Sequence, residues 1–203
     1  MTPTEFTALL VLMTAASFTP GPNTTLSTAL GANLGLRRSM HFVVSVPVGW
    51  GFLFSLCAGG VGGLVAAWPA LRLAIQGVGI GYLLWLAFKL ARSTSLSQAD
   101  ASQLKVTFWQ GVMLQFVNIK GWMFALAVVA GWLAGRDDAL QRFAIILPVM
   151  LAFGFFSNLT YALMGSLLRD WLGGPRQTGQ RLRWFNRGMA SVLLITAAWM
   201  STF

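Results

Sequence analysis

The sequence predicts an all-α polytopic membrane protein with six transmembrane helices in one domain, 1–203. Of its 203 residues, 56% are hydrophobic and 9% are charged, whereas soluble domains average about 45–50% and about 25%. The charges are also arranged so that long stretches contain no Lys, Arg, Asp or Glu. Because about 20 apolar residues cross the hydrocarbon core as a helix, these three observations indicate that lipid surrounds most of the chain.

Six spans follow from seven charge-free stretches. The third stretch becomes long enough when Lys89 extends its side chain to the headgroups. The fourth and fifth merge across Lys120, and the last span begins at Trp184. The first stretch is not expected to be cleaved as a signal peptide. It is preceded by Glu5 and by no basic residue, and its apolar length exceeds that of a cleavable signal. The stretches are 6–36, 39–71, 73–88, 106–119, 121–135, 143–168 and 188–203.

The basic residues predict the orientation. With the amino terminus outside, ten of the 14 Lys and Arg residues fall in inner loops and three in outer loops. Positive charge collects on the cytoplasmic side, so both termini are predicted to lie outside. The net charge of +9 does not indicate a nucleic-acid partner, because that function needs a basic patch interleaved with stacking aromatic residues.

The chain divides into two halves of three helices each. A Ser-rich stretch, 92–106, is interpreted as a cytoplasmic linker between 1–91 and 107–203. Since three is an odd number, the halves enter the membrane from opposite faces, as an inverted-topology repeat requires. The first helix of each half has an irregular centre, at 20–23 and at 118–121. Paired interruptions of this kind indicate a substrate site near the midplane of the bilayer.

The first interruption carries two prolines, Pro20 and Pro22. Proline removes an amide donor and clashes with the preceding turn, so the helix is predicted to break between Thr19 and Pro22. The new helix start favours a carboxylate, and the carbonyls before the break favour an ammonium group, so that a zwitterion would suit both. The groups concerned are Asn23, Thr24 and Thr25, and Phe18 and Thr19, respectively. A kink that only shapes the bundle is the alternative.

Polar residues within the spans suggest a cavity. Lys120 carries a charge inside a span, which is by default a functional feature, whereas interhelical hydrogen bonding is the alternative for the amides and the phenol. No Asp or Glu lies in a predicted span, so a proton would travel on His41, on Lys120 or on the substrate's amine. The candidate substrate-binding residues are Pro20, Gly21, Pro22, Asn23, Thr24, Gln115, Asn118, Lys120, Asn158 and Tyr161.

Two stripes of small residues at helical spacing predict close helix packing. The first runs along the first predicted span and the second along the next one. Smooth faces of this kind would also suit a moving interface. The stripes are Ser17, Gly21, Thr24, Thr28, Gly31 and Gly35, and Gly51, Ser55, Gly59 and Gly63.

Several motifs together resemble the LysE/RhtB family of bacterial amino-acid exporters, over essentially the whole chain. They are Phe18-Thr-Pro-Gly-Pro-Asn23 followed by Gly31, Gly35 and Arg37, then Gly79-Ile-Gly-Tyr-Leu-Leu-Trp-Leu-Ala87, and Phe108-Trp109 leading to Asn118-Ile-Lys120. The resemblance implies efflux of small amino acids or derivatives across the inner membrane, driven by the proton gradient. The stretch 114–120 is most similar to the branch that exports cysteine and O-acetylserine; threonine and homoserine are further substrates of the implied type. Most members have proline where this chain has Ile119, so the proline that would kink the fourth helix is missing.

Other classes of function fit less well. An electron-relay protein of the thiol–disulfide type needs two membrane cysteines, and Cys57 is alone. An intramembrane hydrolase needs a nucleophile held next to a base, whereas His41 is the sole histidine and has no buried acid to orient it. No enzyme activity, metal or cofactor is therefore expected. A channel or a non-transporting assembly subunit remains an alternative, and the sequence leaves open whether a homodimer is needed.

Overall fold

The computed structural model describes residues 1–93, 106–174 and 179–202. Within these ranges the secondary structure is helical, without strands. Most of the predicted linker 92–106 and Arg176 of the last basic loop lie outside the described residues. The described helices are α1 (Pro3–Phe18), α2 (Pro22–Leu34), α3 (Leu36–Ala58), α4 (Val61–Ala67), α5 (Pro69–Arg92), α6 (Phe108–Val117), α7 (Ile119–Val128, continued by a π-helical turn over Val129–Leu133), α8 (Ala139–Gly173) and α9 (Gln180–Met200).

Three of the described helices are long and apolar enough to cross a membrane, namely α3, α5 and α8. The pair α6 and α7, bent by 68°, makes a fourth if it is counted as one span. The helix α1 is apolar but has only 16 residues, and α9 begins with a polar stretch that contains Arg181, Arg183 and Arg187. The structure thus supports an all-helical bundle with three or four candidate spans, and the count of six stays a prediction.

The predicted interruption of the first span is present. α1 ends at Phe18, the Thr19 amide makes the last helical hydrogen bond to the Ala15 carbonyl at 3.1 Å, Pro20 has no amide to donate, and α2 begins at Pro22. The Thr24 hydroxyl accepts a hydrogen bond of 2.9 Å from the Gly21 amide. This bond satisfies one of the donors that a helix start leaves unpaired.

A second break separates α6 from α7 at Asn118, although no proline is present. Asn118 has an extended backbone, with φ −88° and ψ 97°. Neighbouring residues cover the carbonyls that the break frees. The Trp122 indole donates a hydrogen bond of 2.7 Å to the Phe116 carbonyl. Gly79 packs so closely on the Val117 carbonyl that a methyl group added to Gly79 would lie 1.9 Å from its oxygen. Tertiary contacts therefore stabilise a bend that contains no proline.

The helix α2 is packed tightly against α8 through small residues. A methyl group added to Gly31 would lie 2.1 Å from the Ala162 oxygen, and one added to Gly165 would lie 2.0 Å from the Thr28 oxygen. The first small-residue stripe is therefore a packing face over this region, as predicted. The second stripe is less uniform, because Gly51 lies near Leu151 whereas Gly63 has open space around it.

Ion pairs hold the amino-terminal end of α1 to the start of α8. Arg142, which is buried, lies 3.2 Å from the Glu5 carboxylate and 2.6 Å from that of Asp138. Arg136 adds a contact of 3.5 Å to Glu5, and the terminal amine lies 3.6 Å from Asp138. These groups lie in predicted loops or near the terminus, and their contact was not predicted from the sequence.

This cluster makes stability depend on pH. The hydrogen bond from Arg142 lowers the pKa of Asp138 below its usual value. A carboxyl with a lowered folded-state pKa contributes stability above its unfolded-state pKa of about 3.9 and loses it as the pH falls towards the folded-state value. We expect Arg142→Gln to lower the melting temperature in detergent at pH 7, and the difference from the parent chain to narrow below about pH 4.

Asp137→Asn is the matched control for that measurement. Asp137 is exposed and forms no ion pair within the described ranges, so its replacement should leave the melting curve unchanged at both pH values. An Arg142→Gln difference that stays constant from pH 7 to pH 3 would contradict the assignment to the carboxylates of Glu5 and Asp138, since Arg142 lowers the pKa of both.

Candidate functional site

The two helix breaks lie beside the same cavity, which has a volume of about 60 Å³. A buried water needs about 10–15 Å³ on this measure, so the cavity has room for about four to six waters. Its wall includes Gly21, Pro22 and the two residues that follow from the first break, and Asn118 and Lys120 from the second. The structure thus brings together residues that are about a hundred positions apart in the chain.

Lys120 places a positive charge in this wall. Its amine lies 3.5 Å from the point where a β-carbon on Gly21 would stand, so the absence of a side chain at Gly21 leaves the amine room. Among the described residues Lys120 forms no ion pair, and no Asp or Glu contributes to the wall. A cation without a counter-ion in an apolar bundle favours an anionic ligand.

The start of α2 adds to this preference for an anion. Its first intrahelical hydrogen bond runs 3.0 Å from the Thr25 amide to the Gly21 carbonyl, so the amides of Asn23 and Thr24 precede the bonded part of the helix. Unpaired amides and the helix dipole make such an end favourable for a carboxylate. Asn23 and Thr24 both line the cavity.

Two predicted ligands are held by partners within the protein and do not line the cavity. Gln115, which is 0% exposed, exchanges two hydrogen bonds with Asn23, of 2.8 Å and 3.1 Å. The Tyr161 hydroxyl donates a hydrogen bond of 2.9 Å to the Phe18 carbonyl. This is one of the two carbonyls that were expected to bind an ammonium group. Pro20 also lies outside the wall. For Gln115 and Tyr161 the structure shows the alternative, hydrogen bonding between helices.

Asn158 lines the cavity, but both ends of its amide have partners. Its oxygen accepts a hydrogen bond of 2.8 Å from the Ser27 hydroxyl, and its nitrogen donates a hydrogen bond of 2.8 Å to the Gly154 carbonyl. Asn118 differs, because its side-chain oxygen is buried without a hydrogen-bond partner.

Sequence reasoning missed the apolar part of the wall. Trp50 and Phe124 stand edge to face with ring centroids 5.5 Å apart, and Met13 and Met150 lie beside the same cavity. No pattern distinguishes these side chains from the many large apolar residues that face outward, since their position depends on how the helices pack.

A second amide pair was also missed, at the other end of α2. Asn33 and Asn186 exchange hydrogen bonds of 2.8 Å and 3.0 Å, and Asn186 also donates to the Ser93 carbonyl at 3.1 Å. Buried amides are commonly satisfied in this way. Together with the Asn23 pair, this contact holds both ends of α2 to other helices.

Comparison with known proteins gives a consistent result. The family model for LysE type translocators matches residues 14–201. The chain is 30% identical to the cysteine/O-acetylserine efflux proteins of Escherichia coli K12 and Shigella sonnei Ss046, over 90% of this chain and 91% of each relative. No solved structure shows a significant match. This chain therefore belongs to the LysE type translocator family.

Proposed function

We propose that the chain is a secondary transporter that exports small amino acids or their derivatives across the bacterial inner membrane. One observation carries this proposal: the Lys120 amine and the start of α2 share a cavity to whose wall no Asp or Glu of the described residues contributes. Such a site attracts the carboxylate of an amino acid. The relatives named above are efflux proteins for cysteine and O-acetylserine, which supports substrates of that size, with threonine and homoserine as further candidates.

The proposal includes six spans arranged as two inverted halves. The broken pair α1 and α2 would form the first span and the bent pair α6 and α7 the fourth, so that each half begins with an interrupted helix. α9 would be the sixth, with its three arginines at the interface, and both termini would face the periplasm. Two interrupted helices beside one cavity are the arrangement expected of alternating access.

We propose further that export is coupled to the proton gradient. His41 is exposed and does not line the cavity, so it is poorly placed to exchange a proton with the bound substrate. Lys120 and the substrate's own amine are the remaining groups that can carry one.

Counterflow in proteoliposomes tests the function. Vesicles loaded with unlabelled cysteine should accumulate labelled cysteine, threonine or homoserine faster than empty vesicles do, and labelled leucine more slowly than these. Flux that saturates and is stimulated from the opposite side marks a carrier. Flux that rises linearly with concentration and shows no such stimulation would indicate the channel alternative.

The broken helix should be required for this transport. We expect Pro20→Ala combined with Pro22→Ala to abolish counterflow, because the restored amides favour a continuous helix that closes the gap between α1 and α2. The amount of protein in the membrane should stay near that of the parent chain, as measured by fluorescence-detected size exclusion. Pro69→Ala, at the first turn of α5 away from the cavity, is the control. Normal counterflow in the double variant would remove the break from the site.

A further inference from the structure

Asn118 is the one cavity residue whose side-chain oxygen is buried and has no donor within the described ranges. The residue is only 4% exposed. Buried polar atoms nearly always have a hydrogen-bond partner, and an exception calls for an explanation. Gln76 also has an unpaired oxygen, but that residue lies away from this cavity.

The neighbouring amides show that the unpaired oxygen is not a general property of this bundle. Asn23, Asn158 and Asn186 each have partners for their amide groups, at 2.8–3.1 Å. Asn118 sits where the chain is extended between α6 and α7. The break therefore carries Asn118 to the cavity wall and provides no donor, within the described ranges, for its side-chain oxygen.

We infer that the Asn118 side-chain oxygen accepts a hydrogen bond from the α-ammonium group of the exported amino acid and so sets its orientation. This inference rests on the proposed function. Of the two carbonyls that the sequence suggested for this role, that of Phe18 is already bonded to Tyr161, whereas Thr19 lines the cavity. An ammonium group is a strong donor, and its bond to a buried carboxamide oxygen is charge-assisted.

The other groups of the cavity wall orient the remaining parts of the amino-acid substrate. The carboxylate lies towards the Lys120 amine and the amides of Asn23 and Thr24, and the ammonium group lies towards Asn118. The apolar surface that remains, formed in part by Trp50 and Met150, receives the side chain. The substrate class is then an α-amino acid with a small uncharged side chain, because the described part of the wall holds no charged side chain besides Lys120 to pair with a second ionised group, and the cavity has room for only about four to six waters.

The test compares an amino acid with the same molecule lacking its amine. Purified protein in detergent is titrated with L-cysteine and 3-mercaptopropionate, and with L-homoserine and 4-hydroxybutyrate, by displacement of labelled cysteine. In the parent chain the amino acid should bind about 10- to 100-fold more tightly, which is the range expected for one hydrogen bond to a charged group. In Asn118→Leu, which has a similar size and no acceptor, this ratio should fall to within about 3-fold, mainly through weaker binding of the amino acid.

Two variants separate an effect on orientation from a general loss of binding. Asn118→Asp keeps an acceptor and should retain the preference for the amine. Lys120→Met should weaken the binding of both the amino acid and its amine-free analogue, and should leave the ratio of their affinities nearly unchanged. Should Asn118→Leu not purify as a monodisperse species, Asn118→Ala supplies the same comparison.

An unchanged ratio in a folded Asn118→Leu or Asn118→Ala protein would overturn the inference and leave the proposed function standing. The same conclusion holds if the parent chain binds both compounds equally, since water then satisfies the Asn118 oxygen. If the parent chain neither binds nor transports any amino acid, the proposed function itself fails.

Discussion

Replacing Lys120 by methionine is expected to lower the initial rate of counterflow by about 30-fold or more. The substitution keeps most of the volume of the side chain and removes the one charge in the part of the cavity wall that the structure describes. Truncating one partner of a buried charged contact typically costs about 2–5 kcal/mol, which corresponds to a factor of about 30 to several thousand. Since Lys120 forms no ion pair within the described ranges, no protein carboxylate is left unpaired, and the folded protein should remain abundant.

Lys89→Met is the matched control for that experiment. Lys89 also lies in an apolar helix, but its amine is 4.4 Å from the centre of the Trp85 ring and away from the cavity. The same chemical change there should leave counterflow within about 2-fold of the parent rate, because an exposed cation–π contact contributes only about 0.5–1 kcal/mol. Full activity in Lys120→Met, or an equal loss in both variants, would refute the role of Lys120 in substrate binding.

Gly165→Ala, and separately Gly31→Ala, should prevent formation of the stable bundle. In each case the new methyl group would lie about 2 Å from a carbonyl oxygen of the facing helix. A backbone atom cannot move aside as the end of a flexible side chain can, so α2 and α8 must separate along their contact. We expect a loss of more than about 3 kcal/mol, above the usual range for overpacking, with a collapse of the monodisperse peak on size exclusion.

Gly188→Ala tests whether the effect is specific to that contact. Gly188 is also in a helix, but no atom lies within 4 Å of an added methyl group. Alanine should be tolerated there and slightly favoured by helix propensity, by about 0.5–1 kcal/mol. A normal melting temperature in Gly165→Ala would mean that the two helices are not in the close contact described above.

The first break could be read from the sequence, because its cause is local. Pro20 and Pro22 lack amide donors whatever surrounds them, and the structure ends α1 at Phe18 and restarts at Pro22. The break at Asn118 could not be read in the same way. Its stability comes from Gly79 and Trp122, which cover the freed carbonyls, and only the fold brings Gly79 to that point.

The candidate site was predictable in part for the same reason. A charge or an amide in an apolar run stands out in any sequence, so Lys120, Asn23 and Asn118 could be named, and all three line the cavity. Their pairing could not be predicted. Gln115 is engaged with Asn23 from 92 positions away, and Tyr161 with a carbonyl 143 positions away.

The sequence by itself determined the solvent of this protein, the helical class and the place of the proline break, since each depends on composition or on the chemistry of adjacent residues. Only the tertiary structure decided which polar side chains hydrogen-bond to one another and which remain available to bind a ligand. It also decided which large apolar side chains line the cavity. These outcomes depend on contacts between segments that are distant in the sequence. Such contacts are set by how the helices pack, and one amino-acid sequence does not show helix packing directly.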